Sequence, residues 1–176
     1  HYAHILSCMA ENDFHGDVIG ISFDGTGYGT DGTIWGGEFL RASPEGFERL
    51  GSLAPFRQAG GDASSREGWR IAVSLLYDAF GNKTDTENAV RALSVCDEEN
   101  LKMQFMMLDR RINTVTSTSA GRLFDAVSAI LGIRLRSTFE GEASMALQFA
   151  ADPEAPRLSD TEFGQGENGA FTLSPL

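Results

Sequence analysis

Cysteine is nearly absent. Cys8 and Cys96 are the only two, and no CxxC pair occurs, so no disulfide framework holds this chain together. Basic residues are also scarce: 14 Lys and Arg face 25 Asp and Glu, a net charge of −11. Such a chain repels phosphate backbones and anionic bilayers, which argues against nucleic acid or a membrane as a direct partner. It still permits a bound nucleotide, because backbone N–H groups can cradle phosphate in an acidic protein. There is no apolar run long enough to span a bilayer and no secretory apolar region. No arrangement of Ser, Cys and His suggests a nucleophile triad. Together these absences predict a reduced, cytoplasmic chain.

What is present is a foldable core and an excess of glycine. Hydrophobic residues make up 41% of 176 residues, enough for one domain or most of one. The 20 glycines cluster, as they do where backbone turns sharply or approaches a ligand. The chain opens on His1 and closes on an apolar stretch, Phe171–Leu176, so both ends read as cut.

Periodicity gives an α/β reading. Residues 1–12 predict a helix with Ile5, Leu6 and Met9 on one face and His1 and His4 a turn apart. Val18–Phe23 predicts a buried strand ending at Asp24. A glycine-rich turn, Asp24-Gly25-Thr26-Gly27-Tyr28-Gly29-Thr30-Asp31-Gly32, leads into a second strand over Thr33–Leu40. Asp62 or Ser64 is placed to cap a helix running to Phe80, stopped at Gly81-Asn82. Shorter helices are expected over 86–96 and 97–108, and a clear one over 120–131. Another is expected over Glu142–Ala150, and the polar tail 151–170 predicts a loop or linker. Cys8, Trp35 and Trp69 are expected to be packing residues.

Four constellations could carry chemistry. His1 and His4 with Asp24 at a strand end are the ligand types of a first-row divalent metal; surface histidines and a turn aspartate are the plainer alternative. The glycines after Asp24 suit a phosphate cradle, adopting positive φ to aim N–H groups at an anion. A structural hairpin, or a calcium loop using Asp24 and Asp31, fits the same residues. Asp125 follows Gly121-Arg122-Leu123-Phe124 at a helix start, either complementing the helix dipole or binding the two hydroxyls of a ribose. Gly141, in Phe139-Glu140-Gly141-Glu142-Ala143, either lets backbone pass close to a base or starts a helix.

In order along the chain these motifs resemble one family, the HypF-type carbamoyltransferases of NiFe-hydrogenase maturation. The resemblance rests on His1-Tyr2-Ala3-His4 with the small-residue helix after it, and on Phe23-Asp24-Gly25-Thr26-Gly27-Tyr28-Gly29 through Trp35-Gly36-Gly37-Glu38-Phe39-Leu40. It continues in Gly60-Gly61-Asp62, Trp69-Arg70, Ser119–Val127 and Glu140-Gly141-Glu142-Ala143. Gly68 and Arg66 depart from the proline and lysine usual there. The resemblance implies an incomplete domain of the actin-like ATPase (sugar kinase/Hsp70/actin) superfamily, with a mixed sheet and flanking helices. Residues 1–150 would be the first part of the carbamoyl-transfer, nucleotide-binding domain, and residues 151–176 a linker and the start of a second lobe.

It further implies an enzyme that uses carbamoyl phosphate and ATP to make carbamoyl-adenylate and passes the carbamoyl group to the C-terminal cysteine of a HypE-type acceptor. His4 and Asp24 match ligands of one divalent metal, iron or zinc, and His1 matches the middle of the family's histidine run. Flanking ligands of the family fall outside 1–176. Gly25, Thr26 and Gly27 match the loop nearest the phosphate or carbamoyl group, and Asp125 and Gly141 match ribose and adenosine contacts. Asp24 is the catalytic candidate. An O-carbamoyltransferase acting on a small-molecule hydroxyl, or a non-catalytic nucleotide- or calcium-binding module, is the alternative.

Overall fold

The computed structural model describes residues 1–155 throughout, and residues 161–165 and 171–175 as strand backbone. Contacts divide the chain into two units. The first comprises His1–Pro55, Thr118–Ala120 and Pro156–Leu176; the second comprises Phe56–Ser117 and Gly121–Ala155.

The first unit opens with helix α1, Tyr2–Glu11. Strands β1 (Val18–Tyr28), β2 (Ile34–Ser43) and β3 (Gly46–Leu53) follow as an antiparallel meander. Ile5 and Met9 of α1 pack on Trp35, Leu40 and Ala42, the apolar core of this unit. Helix and sheet meet closely because Gly20 offers no side chain, and a Cβ there would stand 2.2 Å from Ile5 Cδ1.

The second unit begins with β4 (Phe56–Ala59), which pairs antiparallel with β5 (Thr114–Ser117). Between them run a single 3₁₀ turn (Gly61–Ser65) and helices α2 (Gly68–Phe80), α3 (Lys83–Leu93) and α4 (Glu98–Arg110). Asn82 and Asp97 cap α3 and α4 by accepting from the amides of Asp85 and Asn100, and Gly81 (φ 68°) ends α2. Asp62 and Ser64 fall within the 3₁₀ turn, so neither caps α2, whose first residue follows Glu67. Helices α5 (Ala120–Ile130) and α6 (Glu142–Ala150) complete the helical set. Phe56, Trp69, Ile71, Val73, Val90, Leu101, Phe105 and Ala126 form the core of this unit.

The tail rejoins the sheet of the first unit. Strands β6 (Thr161–Gln165) and β7 (Phe171–Pro175) form an antiparallel pair, and β7 runs parallel to β3 through Gly51–Leu53. Polar composition hid β6 inside an expected loop. Of that loop, residues 156–160 and 166–170 lie outside the described residues. One parallel and several antiparallel pairings make this sheet mixed, as expected. No helix among the described residues is long and apolar enough to cross a membrane.

Trp35 and Trp69 are core residues, but Cys8 is exposed, contrary to expectation. Cys96 is half-buried, and burial, helped by the charge of Asp97, pushes its thiol up to about 11. At pH 8 in native buffer, a disulfide reagent such as DTNB should therefore titrate one thiol promptly, Cys8, and reach Cys96 only on unfolding. Two fast thiols would contradict this placement.

Candidate functional site

The glycine-rich segment is not the turn of its hairpin. Strand β1 runs through it to Tyr28, and the reversal comes later, at Gly29–Thr33. Pairing with β2 is regular from Val18 to Phe23, breaks, and resumes at Gly27 opposite Trp35. Asp24, Gly25 and Thr26 thus form a bulge in the middle of a strand, a device that re-aims side chains.

Nor do these glycines serve positive φ; Gly25, Gly27 and Gly29 are absent from the left-handed region, where Gly32 (φ 79°) does lie. Their use is close approach. A Cβ on Gly27 would stand 2.1 Å from His1 Cε1, and one on Gly29 2.3 Å from Trp35 Nε1. The strand therefore passes directly beneath the His1 imidazole.

The bulge is held from beneath by Trp35-Gly36-Gly37-Glu38. Ser119 Oγ donates to the carbonyls of Asp24 (3.1 Å) and Gly25 (2.7 Å). This approach needs Gly36, since a Cβ there would lie 2.6 Å from the Asp24 carbonyl and 2.8 Å from Ser119 Cα. Likewise a Cβ on Gly37 would lie 2.6 Å from the Thr118 carbonyl. Glu38, wholly buried, fixes the arrangement. Its Oε1 accepts from the amides of Gly36 (3.1 Å) and Gly37 (3.3 Å) and from the Thr118 hydroxyl.

Arg49 neutralises that carboxylate through Nε (2.7 Å) and Nη2 (2.6 Å), lies 4.3 Å over the Trp35 ring, and extends Nη1 to Asp31 Oδ2 (3.1 Å). Asp31 also accepts from Thr33 N (3.0 Å), Thr33 Oγ1 (2.7 Å) and Trp35 Nε1 (3.1 Å). Partial burial raises its pKa, but the Thr33 and Trp35 hydrogen bonds and the Arg49 charge outweigh that and hold it below the ordinary value. Asp31 is thus engaged by its own hairpin and by Arg49.

On this platform Asp24 meets both histidines. Its Oδ2 lies 3.6 Å from His1 Nε2 and 3.5 Å from His4 Nε2. The His1 side chain is only 2% exposed, yet its Nε2 has no hydrogen-bond partner among the described residues. A buried nitrogen left so is costly unless something else occupies its lone pair. Two imidazoles and a carboxylate suit iron or zinc. Still, no group of three His, Cys, Asp or Glu side chains among the described residues is close enough to make a finished centre. The three side chains fit part of a coordination sphere, open on one side.

Thus His1, His4, Asp24, Gly25, Thr26 and Gly27 gather in the first unit, whereas Asp125 and Gly141 belong to the second. Asp125 is not in the first turn of α5, so it does not serve the helix dipole there. It is buried (6% exposed) and paired with Arg122 Nη1 at 2.8 Å. Gly141 (φ 77°) is the N-cap of α6, where Glu142 accepts from the amide (2.6 Å) and hydroxyl (2.9 Å) of Thr138. Glu38 and Ser119 were not among the sequence candidates. A lone acid following two glycines in an otherwise apolar strand was the available signal for Glu38.

Comparison with known proteins identifies the family. The family described as "Carbamoyltransferase, Kae1-like Domain, second subdomain" matches residues 20–174. A carbamoyltransferase HypF homolog of Cupriavidus necator is 42% identical over 164 residues, 92% of this chain and 40% of that protein. A probable carbamoyltransferase HypF of Methanocaldococcus jannaschii is 38% identical over 152 residues, 86% of this chain and 20% of that protein. Among solved structures, full-length HypF in a phosphate- and nucleotide-bound form superposes with a TM-score of 0.86 at 36% identity, covering 98% of this chain and 22% of that one. HypF of T. kodakarensis gives a TM-score of 0.74 at 31% identity, covering 96% and 22%. The chain spans 40% or less of the length of these relatives. With a family match over most of its length, the chain belongs to the carbamoyltransferase family, as the second subdomain of its Kae1-like domain.

Proposed function

We propose that the chain is part of an ATP-dependent carbamoyltransferase that makes carbamoyl-adenylate from carbamoyl phosphate and passes the carbamoyl group to the C-terminal cysteine of a HypE-type acceptor. The fold proposed with it is that of the actin-like ATPase superfamily, and the compartment is the cytoplasm. The observation that supports this reading is the convergence of His1 and His4 on Asp24, beside a bulge held by buried hydrogen bonds.

In this proposal His4, Asp24 and His1 hold a divalent metal, iron or zinc. When bound, that ion supplies Lewis acidity toward a carbamoyl or phosphate oxygen. Gly25, Thr26 and Gly27 approach the phosphate or carbamoyl group with backbone. Asp125 accepts from the ribose hydroxyls, and Gly141 brings backbone to the adenosine. The acceptor's thiolate sulfur bonds to the carbamoyl carbon, the carbon–oxygen bond to phosphate breaks, AMP leaves with the electron pair, and the thiol proton goes to solvent. A thiolate already present at neutral pH needs no base from this chain.

The test is turnover by the intact protein with carbamoyl phosphate, ATP and either a cysteine-terminated acceptor peptide or a sugar hydroxyl. Carbamoylation of the peptide thiol, with AMP released in equal amount, is the expected result. Transfer to the hydroxyl alone would replace the acceptor, and absence of any AMP release would leave only a binding module.

A further inference from the structure

Asp125 is fixed more firmly than a surface ion pair requires. Its side chain is 9% exposed and that of Arg122 11%. The guanidinium Nη1 of Arg122 lies 2.8 Å from Asp125 Oδ2 and also donates to the Ser65 carbonyl in the 3₁₀ turn. The start of α2 closes on the other side, where a Cβ on Gly68 would stand 2.6 Å from the Asp125 carbonyl and 3.2 Å from its Cβ. Gly68, which departs from the family's usual proline, admits this contact.

We infer that Arg122 is a positioning residue for nucleotide binding: braced on Ser65, it keeps Asp125 ionised and turns the carboxylate so that it can accept from both hydroxyls of a ribose. The inference rests on the reading of Asp125 as the ribose contact. An ionised carboxylate has about four acceptor sites, so one contact to Arg122 leaves enough for a vicinal diol. A protonated acid turns one of those oxygens into a donor. Burial raises the Asp125 pKa, and the Arg122 charge opposes the rise. Other charged groups on the packed elements are Asp62, Arg66, Glu67, Arg70 and Asp78, the last paired with Arg57. Of these Glu67 is engaged by Arg70 (2.6 Å) and Arg136 (3.4 Å).

The experiment is calorimetric titration of the intact protein with ATP from pH 6 to pH 8, using wild type, Arg122→Met, Arg122→Lys and Asp125→Asn. Wild type should show a flat profile. Arg122→Met should bind about tenfold more weakly, with the loss greater at the acid end, because without the Arg122 charge nothing opposes the upward push of burial on the Asp125 carboxyl. Arg122→Lys keeps a cation and should stay flat with a smaller loss. Asp125→Asn should be weakened equally at every pH. Unchanged binding in Arg122→Met, or the same pH-independent loss in Arg122→Met and Arg122→Lys, would overturn the inference while Asp125→Asn remained impaired. An Asp125→Asn protein with wild-type affinity would instead remove the ribose reading itself.

Discussion

Carbamoyl transfer by the intact protein should fall by about 100-fold or more when Asp24 is replaced by alanine, since even partners outside the first ligand shell of a metal site cost about 10–100-fold. Both histidines face Asp24, at 3.6 and 3.5 Å, so its loss removes the partner that His1 and His4 share among the described residues. The fold should not suffer. The Asp24 side chain is 34% exposed; alanine loses the hydrogen bond its Oδ1 accepts from the Gly25 amide (2.6 Å), but the Asp24 backbone carbonyl still accepts from Ser119. Thermal unfolding of Asp24→Ala should stay close to that of wild type, and zinc or iron content should drop with the rate. A near-normal rate in a folded Asp24→Ala protein would sink the role given to this carboxylate.

The reverse pattern is expected at Glu38. Alanine there should destabilise the protein by about 3–5 kcal/mol, the usual cost of removing one partner of a buried ion pair. Three donors lose their acceptor at once: the amides of Gly36 and Gly37 and the hydroxyl of Thr118. The lower end of the range is expected, because Arg49 keeps Asp31 and is 25% exposed. Glu38→Gln retains an acceptor and should cost about 1–2 kcal/mol. Denaturant midpoints of the two variants measure this, and a Glu38→Ala protein within about 1 kcal/mol of wild type would show that the buried network is dispensable.

These two residues also mark what could and could not be read from the sequence. Asp24, His4 and His1 were legible because their residue types announce metal chemistry and the helix before β1 was evident from Ile5, Leu6 and Met9. Helices α5 and α6 were equally plain, each with an apolar stripe and a glycine at one end. Glu38 was hidden because its partners, Arg49 and Thr118, lie 11 and 80 residues away, and neither β3 nor the β5–α5 junction was placed well enough to bring them in. The glycines of the bulge were noticed for the wrong reason. Positive φ is the commoner use of glycine, whereas contact with His1 and Trp35 depends on the tertiary fold. Asp125 was assigned to the first helical turn although the helix was already read from residue 120; the observed helix, Ala120–Ile130, puts Asp125 beyond that turn.

The parallel pairing of β7 with β3 has a consequence for the order in which the chain folds. Gly51 and Phe171 are neighbours in the sheet although 120 positions apart in sequence, and the whole of the second unit lies between them in the chain. Closing such a span costs chain entropy that only the finished contact repays. On an emerging polypeptide the helices of the second unit, whose partners are close in sequence, can collapse first. The sheet beneath Asp24 gains strand β7 only after residues 171–175 have been made, so the sheet that carries the histidine–aspartate cluster is completed after the second unit rather than with its own first three strands.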